Sequence, residues 1–188
     1  MPYENPYKVN YTIRLENAEV FFHDFRGRPN KFRPRGGRRT VSIELDEPMI
    51  RDRKNDDDFH TVSIDKLAED GWNVKRLRKR EGEEDMPDRY FLECVIAFSD
   101  DAYRGPKVYV VNMGDRTTDG KLRANLITEE AIGTLDYAKI VRVDADINPY
   151  NWENGDERGV TAYIDRLYVV VEKSSYDDKY SSEEYPEE

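Results

Sequence analysis

The chain has 188 residues, of which 37% are apolar, and a formal net charge of -10. This length suits one domain with loops and a tail, and the acidic balance excludes a general attraction for polyanions. One cysteine and two histidines without ligand spacing argue against an internal disulfide and a structural zinc site, and no stretch of about 18 apolar residues could span a membrane. We therefore expect a soluble, intracellular protein with no metal, cofactor or membrane partner.

Alternating apolar residues predict a mainly β protein with short helices. Residues 9–15 and 20–25 predict one long, bent first strand, and residues 41–45 predict the second strand. Residues 26–39 lie between them and hold seven basic and no acidic side chains, together with two prolines and three glycines. This composition predicts a loop rather than a central strand.

The basic loop (residues 26–39) is the most informative feature of the chain. Because the chain is acidic overall, so dense a basic cluster predicts a local phosphate-binding loop, and a solvated charged surface is the alternative. Phe32 lies among the arginines and is predicted to stack on a base. The predicted contacts are Arg26, Arg28, Lys31, Phe32, Arg33, Arg35, Arg38 and Arg39.

The next part of the chain combines an insertion with a short helix. Residues 46–58 are charged and predict an exposed loop insertion. A helix is predicted over residues 63–70, with Ser63 as its N-cap, because Gly71 can adopt the left-handed conformation that ends a helix.

Residues 72–80 alternate again and predict a strand that presents cations. The predicted contacts here are Trp72, Lys75, Arg76 and Arg78. For Trp72, packing in the core and stacking on a base are both open. The acids of residues 81–88 could pair with these cations instead of leaving them free.

The second half of the chain starts with a core strand over residues 90–98, in which Cys94 is predicted to be a buried core residue rather than a nucleophile. Residues 106–111 predict a further strand, and residues 117–123 predict a turn-rich excursion. Thr128 can cap a short helix that runs to residue 135.

The last apolar pattern predicts a hairpin. Residues 141–147 and 160–171 alternate, and the Asn154-Gly155 pair in their connection is a strong turn signal. Tyr150 and Trp152 lie in this connection, and their rings could either stack on bases or close the end of a barrel.

The C-terminal residues 172–188 carry seven acids and two lysines, which predicts a disordered acidic tail. We expect its carboxylates to compete with phosphates for the basic loop and to be presented to a protein partner when DNA binds, and a tail that only keeps the protein soluble is the alternative. The residues predicted to contact that partner are Glu183, Glu184, Tyr185, Glu187 and Glu188.

The order of these elements predicts a single OB-fold over residues 1–171, a five-stranded barrel with short helices and charged loop insertions. In this fold oligonucleotides lie across strands 2 and 3, between the loop joining strands 1 and 2 and the loop joining strands 4 and 5. These loops are predicted to be residues 26–39 and 148–159.

Several motifs resemble the phage-encoded OB-fold single-stranded DNA-binding proteins over residues 8–175. They are Gly71-Trp72-Asn73-Val74-Lys75, Leu135-Asp136-Tyr137, Asp146-Ile147-Asn148-Pro149-Tyr150-Asn151-Trp152-Glu153 and Gly159-Val160-Thr161-Ala162-Tyr163. The resemblance implies sequence-tolerant coating of single-stranded DNA during phage replication or recombination, in the cytoplasm of the infected host. It also implies replication or recombination proteins as partners of the acidic tail. The arginine-rich loop and the charged insertions depart from the family pattern.

Two other functions are weighed against this interpretation. A metal-dependent nuclease could use Asp24, Asp144 and Asp146 as Mg²⁺ ligands, although acids at alternate positions of a half-exposed strand are common in so acidic a chain. A non-enzymatic virion or interaction protein could use the basic loop to bind an acidic protein partner. We expect no enzymatic activity.

Overall fold

The computed structural model describes residues 8–53, 58–99 and 104–172, and it confirms a mainly β protein. Its helices are α1 (Ile64–Asp70) and a 3-10 helix (Ile132–Tyr137), and none within the described residues is long and apolar enough to cross a membrane. The described strands are β1 (Tyr11–Ala18), β2 (Val20–Asp24), β3 (Thr40–Glu44), β4 (Met49–Asp52), β5 (His60–Thr61), β6 (Lys75–Arg76), β7 (Tyr90–Val95), β8 (Lys107–Arg116), β9 (Leu122–Leu126), β10 (Ile140–Asn154) and β11 (Glu157–Val171).

The first strand is long and bent, as the sequence predicts. Only Glu19 separates β1 from β2. Asn17 has a φ of 52°, and the pairing of β1 with β10 shifts register between Leu15 and Ala18. Because the backbone leaves the extended conformation there, one continuous stretch of chain pairs first with β10 and then, through β2, with β3.

The strands form one sheet in the order β2-β3-β7-β11-β10-β1-β4-β5, to which β6, β8 and β9 are added at the side. β11 runs parallel to β7 and to β8, and the other described pairs are antiparallel. The predicted single five-stranded barrel is not confirmed, because the sheet has eleven strands and its hydrogen-bonded path ends at β2 and β5.

The segment around β6 corrects the predicted cationic strand. Only Lys75 and Arg76 pair with β7, opposite Phe91 and Tyr90. Beyond them the chain folds on itself through local contacts, because Lys79 pairs with Asp88 at 3.0 Å and the Arg80 backbone N–H donates to Glu83 at 2.9 Å. Because the acids of residues 81–88 bind the cations that precede them, residues 77–89 form a loop instead of continuing the strand.

Two further predictions are wrong in part because tertiary pairing adds strands. The predicted insertion 46–58 contains β4, which pairs with β1 and buries Ile50. Of the predicted excursion 117–123, residues 117–121 form the turn of a β8–β9 hairpin, and Leu122 and Arg123 already belong to β9. The helix predicted from Thr128 is a 3-10 helix that starts later and has no side-chain cap.

The capping signals of α1 are confirmed. Ser63 Oγ accepts a hydrogen bond from the Lys66 backbone N–H at 3.2 Å, and Gly71 has a φ of 107°. The C-terminal hairpin also turns where predicted, at Gly155 and Asp156, with Gly155 at a φ of 62°. β10 and β11 are longer than expected, so Tyr150 and Trp152 stand on a strand.

The core is built from the inward side chains of the main strands. Leu15, Ile43, Leu92, Ile147 and Leu167 are all buried in it.

Two residues that the sequence singled out also lie in this core. Cys94 is buried as predicted, and burial raises the pKa of its thiol. Trp72 is 3% exposed, and its indole N–H donates to the Tyr11 hydroxyl at 3.0 Å. Of the two alternatives for Trp72, the structure shows packing in the core.

Candidate nucleic-acid interface

The basic loop joins β2 to β3 and folds as a small hairpin. The Gly37 backbone N–H donates to the carbonyls of Gly27 and Arg28, both at 3.1 Å. A Cβ on Gly27 would lie 2.8 Å from the Gly37 carbonyl oxygen, and a Cβ on Gly37 would lie 2.6 Å from that of Arg28. Glycine at both positions therefore allows the two arms to meet. At the tip, Asn30 and Arg33 exchange backbone hydrogen bonds of 3.1 Å.

Two carboxylates hold the root of the loop. Asp136, 1% exposed, accepts hydrogen bonds from the backbone N–H groups of Phe25 and Arg26 at 2.9 and 3.0 Å, and it pairs with His23 Nδ1 at 2.7 Å. Burial alone would raise the pKa of Asp136, but the hydrogen bonds from Phe25, His23 and Arg26 outweigh it and hold this pKa below its ordinary value. Asp24 accepts from the Gly27 and Arg28 N–H groups at 3.0 and 3.1 Å.

Five of the predicted loop cations make no ion pair within the described residues. The Lys31 ammonium lies 4.9 Å from the centre of the Phe32 ring, which is 82% exposed. Nothing in the described structure neutralises this charge, so it is available to an anionic ligand. The five cations, all exposed, are Arg28, Lys31, Arg33, Arg35 and Arg38.

Arg26 and Arg39 are engaged within the protein instead. Arg26 Nη1 donates to the Tyr137 hydroxyl, and the guanidinium lies 5.5 Å from the ring centre. Arg39 pairs with Glu129 at 3.3 Å. These two arginines fix the loop to the segment that carries the 3-10 helix. Tyr137 itself is exposed, and its ring was not among the predicted contacts.

A groove of about 580 Å³ brings three of the predicted regions together. We call it the loop–hairpin groove; Arg38 of the basic loop, Lys75 of β6 and Trp152 of β10 all line it. Three basic residues and one acidic residue, Glu93, contribute to its lining. Lys75 and Glu93 pair at 3.4 Å, so these two charges offset each other, and Arg38 lines the groove without an ion pair within the described residues.

The position of Trp152 depends on Gly159, its cross-strand partner. A Cβ on Gly159 would lie 2.6 Å from Trp152 Cζ2, so the indole covers the glycine backbone directly. The ring is still 38% exposed. Tyr150 is also exposed, and its ring meets Tyr163 edge-on at 5.8 Å, but it does not line the loop–hairpin groove.

The remaining predicted cations, Arg76 and Arg78, line a second groove of about 1,210 Å³ between β2 and residues 76–89. We call it the Phe22 groove, because Phe22 projects into it with 57% of its surface exposed. Val20, Phe21 and Phe22 are three consecutive apolar residues, so no alternation in the sequence marks Phe22 as an outward ring, and it is predicted only as part of the first strand.

The acids considered as Mg²⁺ ligands have other partners. Asp146 accepts two hydrogen bonds from Arg14, at 2.8 and 3.0 Å, and Asp144 accepts one from the Asn17 N–H at 2.7 Å. Asp24 holds the loop root. Within residues 8–53, 58–99 and 104–172 no group of three or more His, Cys, Asp or Glu side chains could hold a metal ion. The predicted contacts of the acidic tail lie outside the described residues.

Comparison with known families gives one match. The model of a family described as "Putative phage ssDNA-binding domain" matches residues 4–187. No curated protein and no solved structure matches the chain significantly.

Proposed function

The chain belongs to the phage ssDNA-binding domain family, and we propose that it coats and protects single-stranded DNA during phage replication or recombination, as a binding protein without catalysis. The observation that carries this proposal is the loop–hairpin groove, which combines Arg38, the exposed Trp152 ring and the neighbouring unpaired cations of the basic loop. Single-strand binding needs cations that follow the phosphates and aromatic faces on which bases stack.

We propose that binding tolerates any sequence. The candidate contacts are guanidinium groups, ammonium groups and ring faces, which every nucleotide can satisfy. Recognition of base edges would instead need side-chain donors and acceptors held in fixed positions. In the loop–hairpin groove Arg38 lies exposed on the basic loop, and Glu93 is already paired with Lys75.

We also propose that the domain is an elaborated OB-fold. In support, β1 and β2 form one bent strand, and successive pairs lead from β2 through β3, β7, β11 and β10 back to β1. The parallel pairing of β7 with β11 is compatible with this arrangement. The other strands would then be additions to five main strands, and the groove would lie between the two loops that this fold uses for oligonucleotides.

We propose that residues 172–188 act as the acidic tail and compete with DNA. The Glu172 carboxylate pairs with Lys139 at 2.7 Å, and Lys139 is two residues from Tyr137, the partner of Arg26. The tail therefore starts near the root of the basic loop, and 16 residues can span up to about 50 Å. Bound DNA would release Tyr185 and its neighbouring acids to a replication or recombination protein in the infected cell.

Titration with oligonucleotides tests the proposed function. A single-stranded oligonucleotide of any sequence should quench part of the tryptophan fluorescence, the part from the exposed Trp152 rather than from the buried Trp72, at concentrations where the matching duplex has little effect. Equal affinity for the two forms would contradict the proposal. Cleavage of the oligonucleotide in the presence of Mg²⁺ would favour a nuclease instead.

A further inference from the structure

The Phe22 groove is walled by rings on one side and by a charged loop on the other. Phe21 and Phe22 of β2 both pack edge-on against Phe91, with ring centres 5.8 and 5.7 Å apart. Met86 lies on the opposite wall and is 59% exposed. Two large apolar side chains exposed in one groove indicate a binding surface, because contact with a ligand would remove them from water.

The charges around the Phe22 groove favour an anionic ligand. Five basic and three acidic residues line it. Arg89 pairs with Glu19 and Glu44, at 2.6 and 2.7 Å, and Lys79 pairs with Asp88. The three other cations of the groove, Arg76, Arg78 and Arg80, make no ion pair within the described residues. The lining acids Glu81 and Glu83 make none either, so the unpaired lining groups leave an excess of one positive charge.

The Phe22 groove adjoins the loop–hairpin groove. Lys75, which lines the loop–hairpin groove, is the cross-strand partner of Phe91, which lines the Phe22 groove. On β7 the boundary falls between Glu93 and Phe91, whose side chains share a face of the sheet. A strand of DNA that crosses the loop–hairpin groove along β7 therefore reaches the Phe22 groove without leaving the surface.

We propose that the Phe22 groove is a second nucleotide subsite for the same DNA strand, an inference that rests on the proposed function. Phe22 stacks on a base, and Arg76 and Arg78 hold the flanking phosphates. The combination of an exposed ring with unpaired guanidinium groups is the one that single-strand binding requires. The site of one chain is then longer than the loop–hairpin groove alone.

Oligonucleotides of increasing length separate the two subsites. Those of roughly 4 nucleotides can fill the loop–hairpin groove, and those of roughly 12 can also reach the Phe22 groove. Phe22→Ala should weaken binding of the long oligonucleotide about 5- to 150-fold and leave the short one unchanged. Phe22→Tyr, which keeps the ring, should restore the affinity for the long one.

Two further variants keep the test decisive. Phe22 packs on Phe91, so Phe22→Ala could also disturb the fold. The double variant Arg76→Ala/Arg78→Ala removes two exposed cations and leaves the rings in place, and it too should weaken binding of the long oligonucleotide but not of the short one. Leu126→Ala, at an exposed apolar residue of β9, is the matched control and should have no effect.

Three outcomes would overturn the inference. An unchanged affinity for the long oligonucleotide would show that no base stacks on Phe22. Equal losses for both lengths would show that Phe22 acts through the fold. If the unsubstituted chain bound no oligonucleotide of either length, the proposed function would fail, and this inference would fail with it.

Discussion

At the scale of single residues, the contact between Trp152 and Gly159 links the backbone to binding. The indole lies where a Cβ on residue 159 would stand, so glycine sets the position of the ring. The ring in turn is the aromatic face of the loop–hairpin groove. A backbone requirement in β11 therefore determines where a base can stack.

Trp152→Ala should lower the affinity for single-stranded DNA by roughly 1 to 3 kcal/mol, because one stacking partner is lost. Gly159→Ala should lower it as well, since the new methyl group displaces the ring, and it should cost little stability because alanine suits a strand no worse than glycine. Calorimetric titration and thermal unfolding measure the two effects separately.

Tyr109→Ala is the control for these two variants. Tyr109 of β8 stacks on Tyr168, with the ring centres 4.8 Å apart, and neither ring lines the loop–hairpin groove. Its removal should leave DNA affinity unchanged. If Trp152→Ala lowered the melting temperature and not the affinity, its ring would be part of the core.

At the scale of elements, the 3-10 helix stabilises the root of the basic loop through hydrogen bonds to Asp136. Asp136→Asn exchanges a carboxylate that accepts three hydrogen bonds for an amide, and an unsatisfied buried N–H costs about 1 to 3 kcal/mol. At neutral pH the variant should unfold at a lower temperature and bind DNA more weakly.

The effect of Asp136→Asn should depend on pH. The pKa of Asp136 is lowered in the folded protein from an ordinary value of 3.8, so its stabilising contribution is complete above that value and is lost as the pH falls through the lowered pKa. The unfolding temperatures of the two proteins should therefore converge in acid. Asp165→Asn, at an exposed position of β11, is the control and should change stability little. If the two unfolding temperatures still differed at a pH below the lowered pKa, the Asp136 carboxylate would not be what stabilises the loop root.

The basic loop should carry most of the dependence on salt. Replacing Arg33, Arg35 and Arg38 by Ala removes three unpaired cations, and if each neutralises one phosphate, the slope of log K against log salt should flatten by about 2. Arg39 is left in place because it pairs with Glu129.

A matched triple variant on the β8–β9 hairpin controls for net charge. Arg116, Lys121 and Arg123 lie away from both grooves, and their replacement by Ala should leave the slope unchanged. Equal effects of the two triple variants would show that overall charge, rather than the loop, governs binding.

Local signals explain which elements could be predicted. The cap at Ser63, the turn at Gly155 and the alternation along β1 all depend on neighbouring residues, and all three appear in the structure. β4 could not be predicted in the same way, because it pairs with β1, which lies about 40 positions earlier in the chain.

The candidate site was predictable in composition but not in detail. Arg26 and Arg39 look like the other cations in sequence, yet Tyr137 and Glu129, about 100 positions away, engage them. Trp72 and Trp152 likewise differ in burial only through their packing. Long-range contacts, which no local pattern encodes, decide which of the predicted residues are free to bind.

At the scale of the whole molecule, a basic loop and an acidic C-terminus are joined in one chain. Deleting residues 181–188 removes four carboxylates near the end of the tail and should tighten DNA binding at low salt. The difference should fade as salt screens the competition. Identical affinities of the full and truncated chains at low salt would leave the tail without a competitive role.

The dependence of single-strand affinity on salt tests the central claim most directly. If the protein neutralises about five phosphates, log K should fall with log salt with a slope on the order of -3 to -4. The same titration with duplex should give weaker binding throughout. A slope near zero, or equal affinity for duplex and single strand, would contradict single-strand binding by this surface.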